Sequence, residues 1–397
     1  MHSLFMKASP ESTGLLPGLE TTVDNMIKAD LASNLIGGAS AAVVCRGKLV
    51  YEGYHGFADA EERRPITPNC LFRAASMTKP ITAVAVMMQV EAGLLHLDDP
   101  VSRYLPCLGG MSVAETDAEG NLLASHKTPR DFTIRNLLTH SSGLGTGPQF
   151  AKNCPKPGYT EGSTLKNKIP DWAESYLYFD PGTGFAYSPR VAFEVLAHLV
   201  ELTSDMDFDC FLRHRIFRPL GMTDTCFSPN EEQWSRMVRV YATLPDGSLR
   251  REYNLDRVVF RGGSPTYYSG GGGLATTLSD YVRFAGMLEN FGELDGVRIL
   301  SKRTVWGMQT PQLMPLMPKS EDYSWGLGMR VVLKDNGSQA PLRRGAFGWS
   351  GAYGTHFWCD PVHDLFAVYL SNMTTSGGSK AKTARHMEAA VMAHVPE

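Results

Sequence analysis

The chain has 397 residues, of which 43% are hydrophobic and 20% charged, and its formal net charge is -3. This length predicts two structural lobes around a large core, and the composition is typical of a folded globular protein rather than a disordered one. The small negative charge and the lack of basic runs argue against nucleic acid as a partner and against attraction to an anionic membrane surface.

Neither an export signal nor a membrane span is visible in the sequence. Residues 1–7 lack the apolar core of roughly 7 to 15 residues that a signal peptide has, and no stretch of about 18 apolar residues occurs. A cytoplasmic protein is therefore the expectation. The seven cysteines are scattered without a Cys-x-x-Cys pair or metal-ligand spacing, so we predict reduced thiols, no metal and no cofactor.

The first predicted elements are an amphipathic helix over residues 18–35 and a β-hairpin. The hairpin joins two β-rich runs within residues 38–54, around Arg46-Gly47-Lys48. A second helix is predicted over Ser76–Ala92, where Gly93 ends it. Its body is apolar nearly all round, which predicts that this helix is buried.

The middle of the chain is rich in Pro, Gly and short helical patterns, which predicts a mainly helical lobe. Beyond it the pattern predicts, in order, a helix over residues 279–290, strands over Gly326–Leu333, Gly354–Cys359 and Leu365–Leu370, and a closing helix over Ala381–His394.

The simplest assembly places the early and late strands in one antiparallel sheet with flanking helices. We therefore predict an α/β (α+β) fold of two domains. Residues 1–100 and 262–397 form the domain with the central sheet, and residues 101–261 form a mainly helical domain inserted between them.

A Ser-x-x-Lys pattern occurs three times, at Ser76, Ser163 and Ser379. Only the first lies where a strand-like approach meets the N-terminus of a strongly apolar helix, and there the spacing puts Ser76 and Lys79 on one face. A serine hydroxyl needs a neighbour that accepts its proton, and a lysine can do so where burial disfavours its charged form. The alternative is that Ser76 caps the helix and Lys79 is a surface charge.

Residues 71–79, Leu-Phe-Arg-Ala-Ala-Ser-Met-Thr-Lys, resemble the active-site segment of the serine β-lactamase and penicillin-binding protein superfamily. Further resemblances follow in the family's order. Residues 137–144 resemble a segment of the class C β-lactamase and esterase branch, Tyr187-Ser188-Pro189 resembles the second motif, and Trp349-Ser350-Gly351 lies where the third motif, Lys-Thr-Gly, would stand. The resemblance covers roughly residues 15–395, almost the whole chain, and implies the β-lactamase/transpeptidase-like fold.

The resemblance also implies roles for individual residues. Ser76 would be the acylated nucleophile, with Lys79 and Tyr187 sharing the proton transfer, and either of them could be the base. The backbone N–H groups of Ser76 and Ala352 would form the oxyanion hole. The residues expected to contact substrate are Trp349, Ser350, Gly351, Tyr353 and Phe150.

Two departures from the β-lactamase pattern bear on the substrate. Trp349 stands where the family has a cationic lysine, and Pro189 stands where it commonly has an asparagine. Both changes weaken recognition of an amide-bearing, carboxylate-bearing β-lactam, whereas a neutral ester needs little beyond an oxyanion hole and an apolar pocket. The Trp-x-Gly form resembles that of the family VIII carboxylesterases, which implies a serine carboxylesterase acting on small short-chain esters.

Other activities on the same fold remain as alternatives: a β-lactamase or D-alanyl peptidase, an amide hydrolase, or an acyltransferase, and weak β-lactamase activity beside esterase activity is compatible with the motifs. A non-catalytic binding protein that retains the fold is a further alternative. His140 and His356 lie near the site segments, where packing or hydrogen bonding to site residues is favoured over catalysis. The Gly270–Gly273 run lacks the Lys-Ser/Thr of a phosphate loop and is predicted to be a turn lining the cleft.

Overall fold

The computed structural model describes residues 5–147, 160, 162–256, 266–313, 316, 322–335, 341–378 and 381–396. The strands of these residues are β1 (Gly38–Cys45), β2 (Lys48–Asp59), β3 (Arg64–Pro65), β4 (Phe72–Arg73), β5 (Ser112–Thr116), β6 (Leu122–Lys127), β7 (Tyr241–Thr243), β8 (Leu249–Arg251), β9 (Ala275–Thr276), β10 (Glu293–Leu294), β11 (Val297–Arg298), β12 (Tyr323–Trp325), β13 (Arg330–Val332), β14 (Phe347–Ser350), β15 (His356–Asp360) and β16 (Leu365–Ser371). The α-helices are α1 (Leu19–Ala32), α2 (Thr78–Glu91), α3 (Ile134–Leu138), α4 (Leu165–Ala173), α5 (Val191–Ser204), α6 (Phe208–Leu212), α7 (Arg218–Leu220), α8 (Glu231–Arg236), α9 (Leu278–Glu289), α10 (Lys302–Gln309) and α11 (Lys382–Met392).

Eight strands form one antiparallel sheet in the order β12-β13-β14-β15-β16-β1-β2-β3. The first hairpin, β1 and β2, joins the strands from the end of the chain through the pairing of β1 with β16. The sheet thus combines early and late strands, as the sequence predicts.

Both faces of this sheet are covered by apolar layers, because successive residues of a strand point to opposite faces. In β1, Ala41 and Val43 belong to the core that includes α1 and α11, whereas Ala42 and Val44 belong to the core that includes α2 and α9. A strand buried on both sides needs apolar residues at every position, which explains the unbroken run in β1.

Helix α2 lies in the larger core, as its all-round apolar sequence predicts. A 3-10 turn over Ala75–Met77 precedes it, and every residue of Thr78–Met87 is buried. Pro80 lies in the first turn of the helix, where the backbone N–H that proline lacks would have no partner within the helix. Ser76 therefore lies on a short, firmly anchored turn at the N-terminus of a buried helix.

The strand predicted over Gly326–Leu333 is wrong in part: only Arg330–Val332, strand β13, is a strand there. Residues 326–329 form a turn that joins β13 to β12, which lies before the predicted range. Gly328 of this turn has φ +90°, and a Cβ on it would lie 2.3 Å from the Cβ of Ala83 in α2. The turn therefore packs directly against α2, and its glycine is required by both backbone conformation and space.

The middle of the chain contains α3 to α8 and also two hairpins, β5–β6 and β7–β8, that the sequence patterns do not predict. The second hairpin contacts the sheet, since the Tyr241 N–H donates to the Asn372 carbonyl (2.9 Å). The division into residues 101–261 and the remainder stays a prediction. None of the helices in the described residues is both long enough and apolar enough to cross a membrane.

Candidate active site

Ser76 is partly exposed, although the residues on either side of it, Ala75 and Met77, are buried. Ala75 has φ +47°, a left-handed conformation that a residue with a side chain adopts only when the surrounding structure holds it there. The preceding strand is fixed by β4–β9 pairing, and the following helix is buried. The strained residue turns the chain between these two fixed elements and leaves Ser76 partly exposed.

The Lys79 amine lies one helical turn from Ser76 and is wholly buried. Its Nζ donates to Ser76 Oγ (3.2 Å), to the Pro189 carbonyl (2.6 Å) and to the Gly271 carbonyl (2.6 Å). An ammonium group has three N–H donors and no acceptor, so three acceptors match the charged form of the side chain. The surface-charge alternative for Lys79 is therefore wrong.

Tyr187 reaches the same serine from the segment before α5. Its hydroxyl donates to Ser76 Oγ (3.0 Å), and its ring centre lies 5.2 Å from Lys79 Nζ. The indole N–H of Trp349 donates to the Tyr187 hydroxyl oxygen (3.3 Å). The structure thus brings the three residues predicted for proton transfer and attack into one hydrogen-bonded group, with Trp349 beside them.

The end of β14 lies directly against the segment that carries Ser76. Thr355 Oγ1 donates to the Ala74 carbonyl (3.1 Å), and a Cβ on Gly351 would lie 2.4 Å from that carbonyl oxygen and 2.1 Å from Thr355 Oγ1. Only a glycine fits here without a shift. Gly351 thus lies against the segment that carries Ser76, and the role of the next residue, Ala352, in an oxyanion hole stays a prediction.

The other residues predicted to bind substrate differ in their exposure and contacts. The Trp349 ring is 8% exposed and contacts Tyr187, with ring centres 5.2 Å apart. Tyr353 is partly exposed in the turn after β14. Phe150 lies outside the described residues.

The Ser350 side chain is buried and hydrogen-bonded to His356, so the predicted substrate contact through this side chain is wrong. Its Oγ is 2.8 Å from His356 Nδ1, and His356 Nε2 is 3.0 Å from Glu388 Oε1 on α11. The period of two along β14 places Ser350 on the face opposite Trp349. Ser350, His356 and Glu388 are each at most 2% exposed.

The histidine predicted to support the site does so by packing and by one hydrogen bond. His140 Nδ1 accepts from the Ser188 backbone N–H (3.1 Å), and its ring centre is 4.6 Å from that of Tyr187. Burial, aided by the charge of Lys79, lowers the pKa of His140 well below its usual value. The neutral ring thus holds the backbone segment that carries Tyr187.

Sequence reasoning missed Glu194 on α5. Its carboxylate is fully buried and accepts from Ser269 Oγ (2.6 Å) and the Gly270 N–H (2.9 Å). The next residue, Gly271, supplies a carbonyl acceptor for Lys79. The glycine run is therefore a turn, as predicted, and it lies next to Lys79. The sequence contains one signal for the carboxylate that holds this turn: Glu194 is an acidic residue within an otherwise apolar stretch of helix.

Within the described residues, no group of three or more His, Cys, Asp or Glu side chains is arranged to hold a metal ion. Six cysteines of these residues are free thiols. The chemistry available at Ser76 is that of the serine, lysine and tyrosine side chains, which are joined by hydrogen bonds.

Comparison with known proteins gives a consistent result. The beta-lactamase family matches residues 23–392. Protein Rv1367c of Mycobacterium tuberculosis is 33% identical over 353 residues, which cover 85% of this chain and 86% of that protein. Esterase EstB of Burkholderia gladioli is 29% identical over 389 residues, which cover 91% and 92% of the two chains.

Among solved structures, one titled EstCE1, a hydrolase with promiscuous acyltransferase activity, superposes with a TM-score of 0.76 at 23% identity. The match covers 94% of this chain and 98% of that one. The predicted β-lactamase/transpeptidase-like fold is thereby confirmed.

Proposed function

The chain belongs to the beta-lactamase family and is a serine hydrolase of that fold, and we propose that it is a carboxylesterase of the family VIII kind that cleaves short-chain acyl esters. One observation carries the proposal: the partly exposed Ser76 Oγ lies 3.2 Å from Lys79 Nζ and 3.0 Å from the Tyr187 hydroxyl. A nucleophile, a fixed cation and a second proton-transfer group thus meet at one accessible oxygen.

In the proposed mechanism Tyr187 accepts the proton of Ser76 as Oγ attacks the ester carbonyl carbon. Lys79 uses its three N–H donors on three acceptors, so it acts as an ammonium that favours the phenolate form of Tyr187. The indole N–H of Trp349 favours the phenolate further.

The attack forms a bond from Oγ to the acyl carbon and turns the carbonyl oxygen into an oxyanion. The backbone N–H groups of Ser76 and Ala352 are the proposed donors to that oxyanion, each contributing about 2.7 to 4 kcal/mol. The proton on Tyr187 then passes to the departing alkoxide, which leaves as an alcohol. Water repeats the sequence on the acyl-enzyme, with its proton accepted by Tyr187, and releases the carboxylic acid and free Ser76.

The walls of the site support an ester rather than a β-lactam as the substrate. Trp349, which occupies the position of the family's lysine, contacts both Tyr187 and Trp325 by its ring, with centres 5.2 Å and 4.4 Å apart. An uncharged aromatic wall favours an apolar acyl or alcohol group and gives a substrate carboxylate no partner. The esterase name of the relative at 29% identity points the same way.

A chain-length series of p-nitrophenyl esters, acetate to decanoate, assayed beside nitrocefin tests this proposal. We expect the highest kcat/KM on the short esters and slower turnover of nitrocefin. Ser76→Ala, purified and assayed identically, is the control for background hydrolysis. Faster turnover of nitrocefin than of every ester would favour the β-lactamase alternative, and no turnover of any substrate would favour a binding protein.

A further inference from the structure

Lys79 is a buried cation without a carboxylate in contact. It is 0% exposed, and its amine donates to one hydroxyl and two backbone carbonyls. No acidic side chain of the described residues forms an ion pair with it. Taking an ammonium group out of water is costly unless a negative charge compensates for it. A carboxylate slightly farther away can supply such a charge to Lys79.

Glu194 is the carboxylate that the fold brings to this corner. It is fully buried in α5, and its neighbours in sequence are apolar. Removing its charge from water therefore costs free energy as well. Both oxygens are engaged, one by Ser269 Oγ and the other by the Gly270 N–H. The Gly271 carbonyl then accepts from Lys79, so a single turn of backbone separates the carboxylate from the amine.

We infer that Glu194 is the buried counter-charge of Lys79 and a positioning residue for the reaction, acting through the turn of residues 269–271. Its negative charge keeps the lysine in the ammonium form, and its two hydrogen bonds hold the carbonyl on which the amine rests. This inference rests on the proposed function, because it assigns Glu194 a role in the same site.

The electrostatics of the corner agree with this role. Burial raises the pKa of Glu194 to about 7, although Ser269, the charges of Arg190 and Lys79, and the Gly270 N–H oppose that rise. The carboxylate therefore changes charge within the pH range in which esterases are assayed. The positive charges of Arg190 and of Lys79 both favour ionised Glu194, and the attraction between Glu194 and Lys79 stabilises the two charges in this buried corner.

Other titratable groups lie near this corner. On α5, His198 is one turn beyond Glu194 and its Nδ1 is 2.7 Å from Glu201. His140, packed on Phe193 and Tyr187, has a pKa lowered well below its usual value, so it stays neutral through the assay range. His198→Gln, which removes the nearby histidine, is a control for the pH profile.

The alternative is a purely structural role in which Glu194 only holds a glycine turn by two hydrogen bonds. Glu194→Gln separates the two possibilities. A glutamine carbonyl still accepts from the Gly270 N–H, and its amide nitrogen donates to Ser269 Oγ, so the hydrogen bonds remain while the charge is lost. Glu194→Asp retains the charge on a shorter side chain.

The first measurement is the pH profile of kcat and KM on p-nitrophenyl butyrate. The wild type should show a rise in kcat centred near pH 7, where Glu194 ionises. Glu194→Gln should have kcat at least about tenfold lower at alkaline pH, with KM within about twofold and the rise abolished, since one pKa unit of lost interaction is tenfold. Glu194→Asp should keep the rise, and His198→Gln should keep both the rise and the rate.

The second measurement is the pH dependence of the free energy of unfolding, which does not depend on catalysis. An acid whose folded pKa is raised stabilises the protein below its unfolded pKa of 4.5, and that contribution is lost as pH rises through about 7. The wild type should lose stability over this window, and Glu194→Gln should not. At alkaline pH the glutamine variant should therefore be at least as stable as the wild type while it is slower.

Lys79→Met tests the charge coupling by itself. Removing the ammonium should raise the pKa of Glu194 further, so the stability loss should move to higher pH. Glu289→Gln is the matched control, because Glu289 is also a buried acid with a pKa raised by burial. The charges that act on Glu289 are those of Asp364 and Asp360, not that of Lys79. Its loss should leave the pH profile of kcat unchanged.

The outcomes are separable. A Glu194→Gln variant with wild-type kcat at all pH values overturns the inference, as does one that loses rate and stability together and keeps the pH rise. A stability loss at the same pH in Lys79→Met and wild type also overturns it. If the wild type cleaves no ester, the proposed function fails, and the Lys79→Met titration still decides whether the two groups are coupled.

Discussion

Two serine-centred clusters lie on opposite sides of the same strand, β14. On one face, Ser76 is hydrogen-bonded to Lys79 and Tyr187 next to Trp349. On the other, Ser350 is hydrogen-bonded to His356 and through it to Glu388. The second has the composition of a serine protease triad, and the first does not. Composition alone would select the wrong cluster.

Access to solvent separates the two clusters. Ser76 and Tyr187 are partly exposed, and the backbone beside Ser76 is strained at Ala75, whereas Ser350 and His356 are at most 2% exposed. A substrate can reach the first serine and not the second. The buried cluster ties β14 to α11 and so fixes the strand from which Trp349 extends toward the reaction site.

The largest expected difference is between Ser76→Ala and Ser350→Ala. Removing the nucleophile should lower kcat on p-nitrophenyl butyrate by at least about 10³-fold, as in other serine hydrolases, because no other group can form the acyl-enzyme. Removing the Ser350 hydroxyl should change kcat by less than about threefold, since it costs one hydrogen bond to a buried ring. Equal losses in both variants would contradict the division between the clusters.

The next effect concerns stability and belongs to the buried cluster. Glu388→Gln leaves Arg330, its ion-pair partner at 3.1 Å, buried without a charge partner, and should lower the free energy of unfolding by about 3 to 5 kcal/mol. Chemical denaturation measures this loss. The rate per folded molecule should change little at temperatures well below the melting point.

The pH dependence of that variant provides a second check. Burial alone would raise the pKa of Glu388, but hydrogen bonds and charges from His356 and Arg330 lower it below its usual 4.5. A lowered pKa stabilises the protein above 4.5, and this stability is lost as pH falls through the lower folded pKa. The wild type should therefore weaken below about pH 4.5 relative to Glu388→Gln. A parallel pH dependence in the two proteins would argue against an ionised Glu388.

The smallest expected effect is that of Trp349→Phe. The phenyl ring retains most of the aromatic wall and loses the indole N–H that donates to the Tyr187 oxygen (3.3 Å). One net hydrogen bond of about 1 kcal/mol corresponds to a roughly fivefold lower kcat. Steady-state kinetics with Trp325→Phe as the control measures it, since the Trp325 indole donates instead to the Leu138 carbonyl. An unchanged kcat in Trp349→Phe would show that the indole N–H of Trp349 takes no part in the proton transfer.

Sequence reasoning was most successful where the signal is local. Ser76 and Lys79 are three residues apart on one helix, so their proximity follows from helical spacing, and the fold followed from the order of motifs and strands. Tyr187 came from motif resemblance alone, because 111 residues separate it from Ser76.

What the sequence did not reveal depends on contacts between distant segments. Glu194 lies in an apolar helix pattern, and nothing local indicates that it meets Ser269, 75 residues later. Ser350 was assigned to the substrate by its place in a motif, whereas the alternation of β14 turns it to the other face. The turn at Gly328 packs closely against Ala83 in α2, and the sequence pattern of Gly326–Leu333 contains no sign of this contact.

Labelling with a fluorophosphonate, followed by intact mass measurement and peptide mapping, tests the central claim most directly. This reagent phosphonylates a serine only where the hydroxyl is both accessible and activated. The account predicts one adduct per chain, located on Ser76, retained in Ser350→Ala and missing in Ser76→Ala. An adduct on Ser350, or no adduct on a protein that hydrolyses esters, would contradict it.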